Sequence, residues 1–261
     1  MNRREVLLSL GVAAAGAVGT YFTTRAHWRG TYLQMGTSIT AGVTPKAGRT
    51  PALVGDQLGM VGINGGIAGA WVGHHTVAGR DHRSLFAVVD AVISGDWSRQ
   101  EAETDPTIKT NISHLATADF SKLSLLGLEY GPNDYAYDCP IGEASDTDCR
   151  TFSGALSYSL SKLWAAFPKL RMFLITPAWR LNPKGLDSDT NPNGIGLFLK
   201  DYVDAMIQIA ERHHIPCLDM WRTFGINIHN YKALTFDGTH PNDECAVRRA
   251  DVIASFVKAT F

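Results

Sequence analysis

The sequence predicts a three-layer α/β/α sandwich built on a central parallel sheet of about five strands. Three observations carry that expectation. Five short apolar runs recur along the chain, helical stripes of apolar residues lie between them, and the composition suits a sizeable core. Of 261 residues, 45% are apolar and 19% charged. Strands that alternate with helices pair in parallel, and right-handed crossovers then cover both faces of the sheet. Lys plus Arg total 24 and Asp plus Glu 25, a net charge of −1 with the two signs interspersed. Nothing in that balance marks a nucleic-acid surface.

The strands fall at residues 31–35, 60–64, 123–129, 170–176 and 215–220. Of the helices, residues 84–93 align Leu85, Val88, Val89, Val92 and Ile93, and residues 152–167 repeat at Leu156, Leu160, Leu163 and Trp164. Residues 197–210 repeat at Tyr202, Val203, Met206 and Ile209, and the last helix carries Ala246, Ala250, Ile253, Ala254 and Val257. Each is a stripe of period 3.6. Residues 95–111 and 179–193 read as long loops, and no domain boundary interrupts residues 29–261.

Residues 1–28 read as an address and stand apart from the fold. Arg3 and Arg4 precede an uncharged, Ala/Gly-rich run over residues 7–22, shorter than the roughly 20 residues that span a bilayer. A basic start and a short apolar stretch make an export signal, and the paired arginines resemble a twin-arginine signal. Both small-residue cleavage candidates, 17–19 and 24–26, are weak, so an uncleaved N-terminal anchor is the other reading. Export places the mature chain in a bacterial periplasm or outside the cell, with membrane contact only through such an anchor. Four cysteines fit that setting. Cys139 and Cys149 bracket a polar loop that a disulfide would staple, and Cys217 and Cys245 are the remaining two. Two bridges and four free thiols are equally open, because four cysteines allow three pairings.

In an open parallel sheet, ligands bind at the carboxyl ends of the strands. The segments after each strand are therefore the informative ones. Gly36-Thr37-Ser38 follows the first strand and turns into a helix, which exposes the Ser38 hydroxyl at the sheet edge. An ordinary helix-capping serine would look the same. Asn64-Gly65-Gly66-Ile67-Ala68-Gly69 follows the second. It is spaced like a dinucleotide-binding loop, but Asn64 holds the first glycine position and the segment follows the wrong strand. Its glycines would let backbone N–H groups approach a ligand. Gly131-Pro132-Asn133-Asp134 follows the third strand and can aim the Asn133 amide into a cleft. Near the C-terminus, Asp237 and His240 stand three apart across Gly238, a spacing that lets the carboxylate hold the imidazole in one tautomer.

Taken in order, these four segments resemble the blocks of the GDSL/SGNH hydrolase family, with Thr37 where the family has Asp. The resemblance covers the chain from the first strand to the last helix. It implies a flavodoxin-like SGNH hydrolase fold and a serine esterase without metal or cofactor. Ser38 would be the nucleophile, His240 the general base and Asp237 the residue that orients it. The oxyanion hole would be formed by Ser38 and Gly69 N–H groups and the Asn133 side-chain amide. The expected substrate is a small-molecule or glycan ester, with an acetyl ester on a polysaccharide the narrowest reading. An acyltransferase acting on an envelope glycan with the same triad, and a non-catalytic glycan-binding protein on the same scaffold, are the alternatives.

Other residues carry less. Asp187-Ser188-Asp189 opens like a calcium loop, but Pro192 and Phe198 occupy the positions that need Gly and Glu. The His74-His75 and His213-His214 pairs do not converge as ligands on one face. Trp71, Trp179 and Arg180 follow strands two and four. They would either line the cleft, where an aromatic plate and an arginine suit a sugar or an acidic glycan, or pack at the sheet rim.

Overall fold

The computed structural model describes residues 30–44, 47–74 and 79–261. The segment expected to direct export lies outside the described residues. In chain order the main elements begin with β1 (Thr31–Gly36), α1 (Ser38–Ala41), α2 (Thr50–Leu58), β2 (Val61–Gly66), α3 (Leu85–Ser94) and α4 (Pro106–Thr117). They continue with β3 (Leu125–Glu129), α5 (Pro132–Ala136), α6 (Phe152–Ala166), β4 (Arg171–Ile175), α7 (Leu199–Arg212) and β5 (Cys217–Leu218). The chain closes with α8 (Met220–Thr223), α9 (Tyr231–Leu234) and α10 (Asp243–Thr260). The five strands form one parallel sheet in the order β2-β1-β3-β4-β5, as the alternation of runs and stripes predicts.

Because strand side chains alternate between faces, each strand serves two cores. Leu33, Met35, Leu126, Leu128, Met172 and Leu174 pack with α3, α4, α6 and α7 on one face. Tyr32, Leu125, Phe173 and Ile175 pack with α2 and α10 on the other. The register sets Gly36 opposite both Gly66 and Glu129, and Glu129 opposite Ile175. The carboxyl ends of four strands therefore form one edge, and the loops that leave them share one rim.

Several expected boundaries move, each for a physical reason. The expected loop 95–111 contains the start of α4. Asp105 caps it by accepting from Thr107 and Ile108 N–H, and Pro106 occupies its first turn. Only Ile108, Asn111, Ile112 and Leu115 are buried, so the polar residues between them hide the stripe. The second strand ends at Gly66 rather than residue 64, since glycines carry no strand signal. β5 shrinks to two residues. The loop 179–193 holds only the Leu181–Asp187 bridge. All four cysteines are free thiols.

One buried polar cluster crosses the second core just beneath the rim. Glu129 ends β3 at 2% exposure and pairs with Arg249 of α10, at 3%. The same carboxylate accepts from Gln34 Nε2 and from Thr40 Oγ1 of α1, each at 2.8 Å. Tyr32 in turn donates its hydroxyl to Gln34 Oε1 at 2.8 Å. A buried carboxylate is tolerable only with such partners. Arg249→Met would leave Glu129 buried and uncompensated, and its expected cost is about 3–5 kcal/mol. Adding Glu129→Gln should recover a large part of that loss. Urea unfolding of the three proteins measures both; a loss below about 1 kcal/mol for Arg249→Met would show that the pair carries no such weight.

Candidate active site

Ser38 opens α1 directly after β1. Thr37 caps this one-turn helix, its hydroxyl accepting from Ile39 N–H at 3.3 Å. Thr40, one turn in, is tied to Glu129. Gly66 lets α1 lie this close to β2, since a Cβ there would stand 2.3 Å from Ala41 N. The position of Ser38 is thus set by two neighbouring strands and a buried carboxylate.

Asp237 and His240 come from the loop between α9 and α10. Phe236 N–H donates to the His240 carbonyl at 2.8 Å, which closes the loop on itself. Leu181 N–H donates to the Gly238 carbonyl at 2.8 Å and anchors the loop to the segment after β4. Asp237 Oδ1 accepts from Thr239 and His240 N–H at 2.9 and 2.8 Å. Its Oδ2 lies 2.7 Å from His240 Nδ1, and His240 Nε2 lies 2.9 Å from Ser38 Oγ. The structure therefore joins three residues, drawn from opposite ends of the chain, in one hydrogen-bonded line. Burial of itself raises the Asp237 pKa, but the backbone and ring N–H bonds from His240 and the Thr239 N–H more than offset it. The carboxyl is held below its ordinary range, so it is an anion when it faces the imidazole.

The loops after β2 and β3 meet beside this line. Asn133, second in α5, donates from Nδ2 to the Ala70 carbonyl at 2.7 Å. Asp134 Oδ1 accepts from Val72 N–H at 2.9 Å, a contact that fastens the same two loops. Burial pushes the Asp134 pKa up to about 7 against the opposing backbone bonds. Gly69 takes a φ of +73°, a conformation that suits glycine. Arg83 Nη1 donates to the Ala68 carbonyl at 3.2 Å. The peptide unit is planar and trans, so fixing that carbonyl points the Gly69 N–H the opposite way. Among the described residues, neither Gly69 N–H nor Ser38 N–H has an acceptor.

Sequence reasoning misses the residues that hold this scaffold. Arg83 is fixed by Glu103, with Nε 2.6 Å and Nη2 3.0 Å from the carboxylate. Glu103 also faces His82 Nε2 at 3.0 Å and accepts from Thr104 and Asp105 N–H. Asp105 is at the same time the cap of α4. The capping pattern Asp105-Pro106 is the available signal for that helix; nothing local to residues 82, 83 and 103 marks their meeting. Of the two readings open for Trp71 and Trp179, packing is the one the structure shows. Trp179 belongs to the second core and donates Nε1 to Asp187 Oδ1 at 2.8 Å. Trp71 is buried edge-on to Tyr137, with centroids 5.3 Å apart. The calcium-like segment is a turn in which Asp187 accepts from Trp179 and Asp189.

The fold is an α/β sandwich with its candidate functional groups on loops at the carboxyl edge of a parallel sheet. The chain belongs to the GDSL-like lipase/acylhydrolase family, whose model matches residues 35–246. Solved structures agree in fold. A protein from Lactobacillus plantarum is 22% identical with a TM-score of 0.65, over 90% of this chain and 100% of that one. A lipase/acylhydrolase from Enterococcus faecalis is 18% identical with a TM-score of 0.55, over 88% and 95%. A carbohydrate acetylesterase from Sinorhizobium meliloti is 15% identical with a TM-score of 0.51, over 88% and 99%. No curated protein sequence matches the chain. The protein is a carboxylic ester hydrolase.

The Glu103 cluster generates a pH prediction. Burial of itself raises the Glu103 pKa, but the bonds from Asp105 N–H, His82, Arg83 and Thr104 N–H bring it from 4.5 to about 2. A carboxyl depressed by folding adds stability above its unfolded pKa, and that stability is lost as pH falls through the folded one. Stability should therefore drop between pH 4.5 and about 2, and Glu103→Gln should flatten this limb. Urea midpoints across that window check it; parallel profiles for the two proteins would contradict it.

Proposed function

We propose that the protein is an exported serine esterase that removes a small acyl group, an acetyl ester, from a polysaccharide through an acyl-enzyme. The observation that carries this reading is the unbroken line Asp237–His240–Ser38 at the sheet edge. Contact with the Asp237 carboxylate keeps the proton on His240 Nδ1 and leaves the Nε2 lone pair toward Ser38 Oγ. His240 takes the Ser38 proton as Oγ attacks the ester carbonyl, and Asp237 stabilises the imidazolium that forms. The proton then goes to the leaving alcohol. A water activated by the same imidazole attacks the acyl-enzyme, releases the acid and restores Ser38.

Charge that develops on the carbonyl oxygen would meet the N–H groups of Ser38 and Gly69 and the second amide N–H of Asn133. The first amide N–H is committed to Ala70, which leaves the other available at a fixed angle. The carbohydrate part of the reading is suggested by a structural neighbour that is a carbohydrate acetylesterase. Export rests on Arg3 and Arg4 ahead of an apolar run. Replacing both with lysine should retain the precursor in the cytoplasm of a bacterial host; unchanged export would assign the segment to the general secretory route.

Hydrolysis of p-nitrophenyl acetate, with and without an acceptor sugar, tests the activity and separates a hydrolase from a transferase. Ser38→Ala should abolish turnover with an unchanged circular-dichroism spectrum. Asn133→Ala should lower kcat by about 10²- to 10³-fold with little change in KM, since its amide acts where charge develops. A rise in KM at constant kcat would instead make Asn133 a ground-state binding residue.

A further inference from the structure

Arg180, in the segment after β4, forms no ion pair among the described residues. It is 7% exposed, and its Nε donates to the Leu181 carbonyl at 2.9 Å. Among the described residues its terminal nitrogens make no hydrogen bond and no ion pair. Asp237 is the acidic group nearest to it in electrostatic effect. Both oxygens of that carboxylate are already taken, Oδ1 by two backbone N–H groups and Oδ2 by His240. Burial brings the Arg180 pKa down to about 10, so the guanidinium stays charged at neutral pH. A buried cation without a partner is costly, and the cost is relieved when a ligand supplies the opposite charge.

Its place says which ligand. The next residue, Leu181, donates its N–H to the Gly238 carbonyl and accepts from Thr239 Oγ1 at 3.3 Å, and Asn182 beyond it lines a cavity with Tyr135. Asp237 belongs to the loop that carries His240, while Tyr135 lies in α5 with Asn133. Arg180 therefore belongs to the segment that runs between the two halves of the site. That cavity, of about 270 Å³, is also lined by Lys184, a second cation of the same segment. Two parallel N–H groups at the end of a guanidinium match the two oxygens of a carboxylate.

We infer that Arg180 forms a subsite for a carboxylate within the substrate, so that the enzyme selects acidic esters. The carboxylate has two sources: a uronic acid in the alcohol part, or a dicarboxylic acid that forms the acyl part. The inference rests on the esterase reading above and narrows its substrate.

The test uses two matched pairs of substrates with the purified protein. One pair is O-acetylated oligogalacturonide against O-acetylated mannooligosaccharide. The other is the p-nitrophenyl half-ester of succinate against p-nitrophenyl acetate. In one pair the acidic member should be favoured in kcat/KM by about tenfold or more, and that pair identifies the source. Arg180→Gln should cut the acidic-to-neutral ratio by roughly 10- to 100-fold, mainly through KM, and Arg180→Lys should restore part of it. Hydrolysis with no acidic preference in either pair overturns the inference and leaves the esterase reading standing. An equal loss on acidic and neutral members in Arg180→Gln also overturns it, because Arg180 would then act through Asp237. Absence of Ser38-dependent hydrolysis of all four substrates overturns the esterase reading, and the inference with it.

Discussion

Glu129 and Arg249 share a buried ion pair at the end of the central strand, and the placement of the site depends on it. The carboxylate stands where β3 runs out of hydrogen-bonding partners, between β1 and β4 in the sheet. Through Thr40 it holds the one-turn helix that begins with Ser38. Through Arg249 it holds α10, the helix entered directly from the His240 loop. Two groups separated by most of the chain thus hang on opposite oxygens of one side chain. A one-turn helix has little stability of its own, so an anchor inside the core does what length would otherwise do. Apolar replacements of buried ion pairs are often no less stable. What this pair adds is a fixed distance between two loops, since a hydrogen-bonded carboxylate defines direction as well as depth.

The rim beside Ser38 follows the same logic on a smaller scale. Asn133 and Asp134 each reach into the loop after β2, and Arg83 holds that loop from behind. The effect is to commit carbonyls and side chains to the protein while, among the described residues, the Ser38 and Gly69 N–H groups have no acceptor and the Asn133 amide keeps one N–H beyond its bond to Ala70. Donors held in advance of the reaction need no reorganisation when negative charge appears. Charge also follows hydrogen-bond partners rather than depth, since Glu103 and Asp134 are both buried. Glu103 and Asp237 are held as anions by their hydrogen bonds, whereas buried Asp134 is shifted toward neutrality beside Tyr130 and Cys139.

Much of this architecture is legible in the order of residues alone. The sheet follows from five apolar runs, because strands buried on both faces need apolar residues at successive positions. Ser38, Asp237 and His240 are legible because each lies in a short pattern tied to a strand or helix end. Gly69 and Asn133 are legible in the same way. The supports are not. Glu129 reads as an ordinary strand end, Arg249 as a solvated helix residue, and Arg83 and Glu103 as loop charges. Each acquires meaning only from a partner distant in sequence, 120 residues away for Glu129 and Arg249. Helix α4 escapes notice because its buried positions are diluted by Thr, Lys and Asn. Trp179 reads equally well as a cleft residue and as a rim residue, because position after a strand gives the edge but not the direction of a side chain.

The central claim is that Ser38 is the nucleophile activated by His240, and covalent trapping tests it most directly. A fluorophosphonate reacts with a serine only where a base accepts its proton and the oxyanion site accepts the phosphonyl oxygen. Intact mass and peptide mapping after brief exposure should give a single adduct, on the peptide that contains Ser38. His240→Ala should slow its formation by orders of magnitude while the protein remains folded. A stoichiometric adduct on a different serine, or labelling of Ser38 at the same rate without His240, would contradict the account.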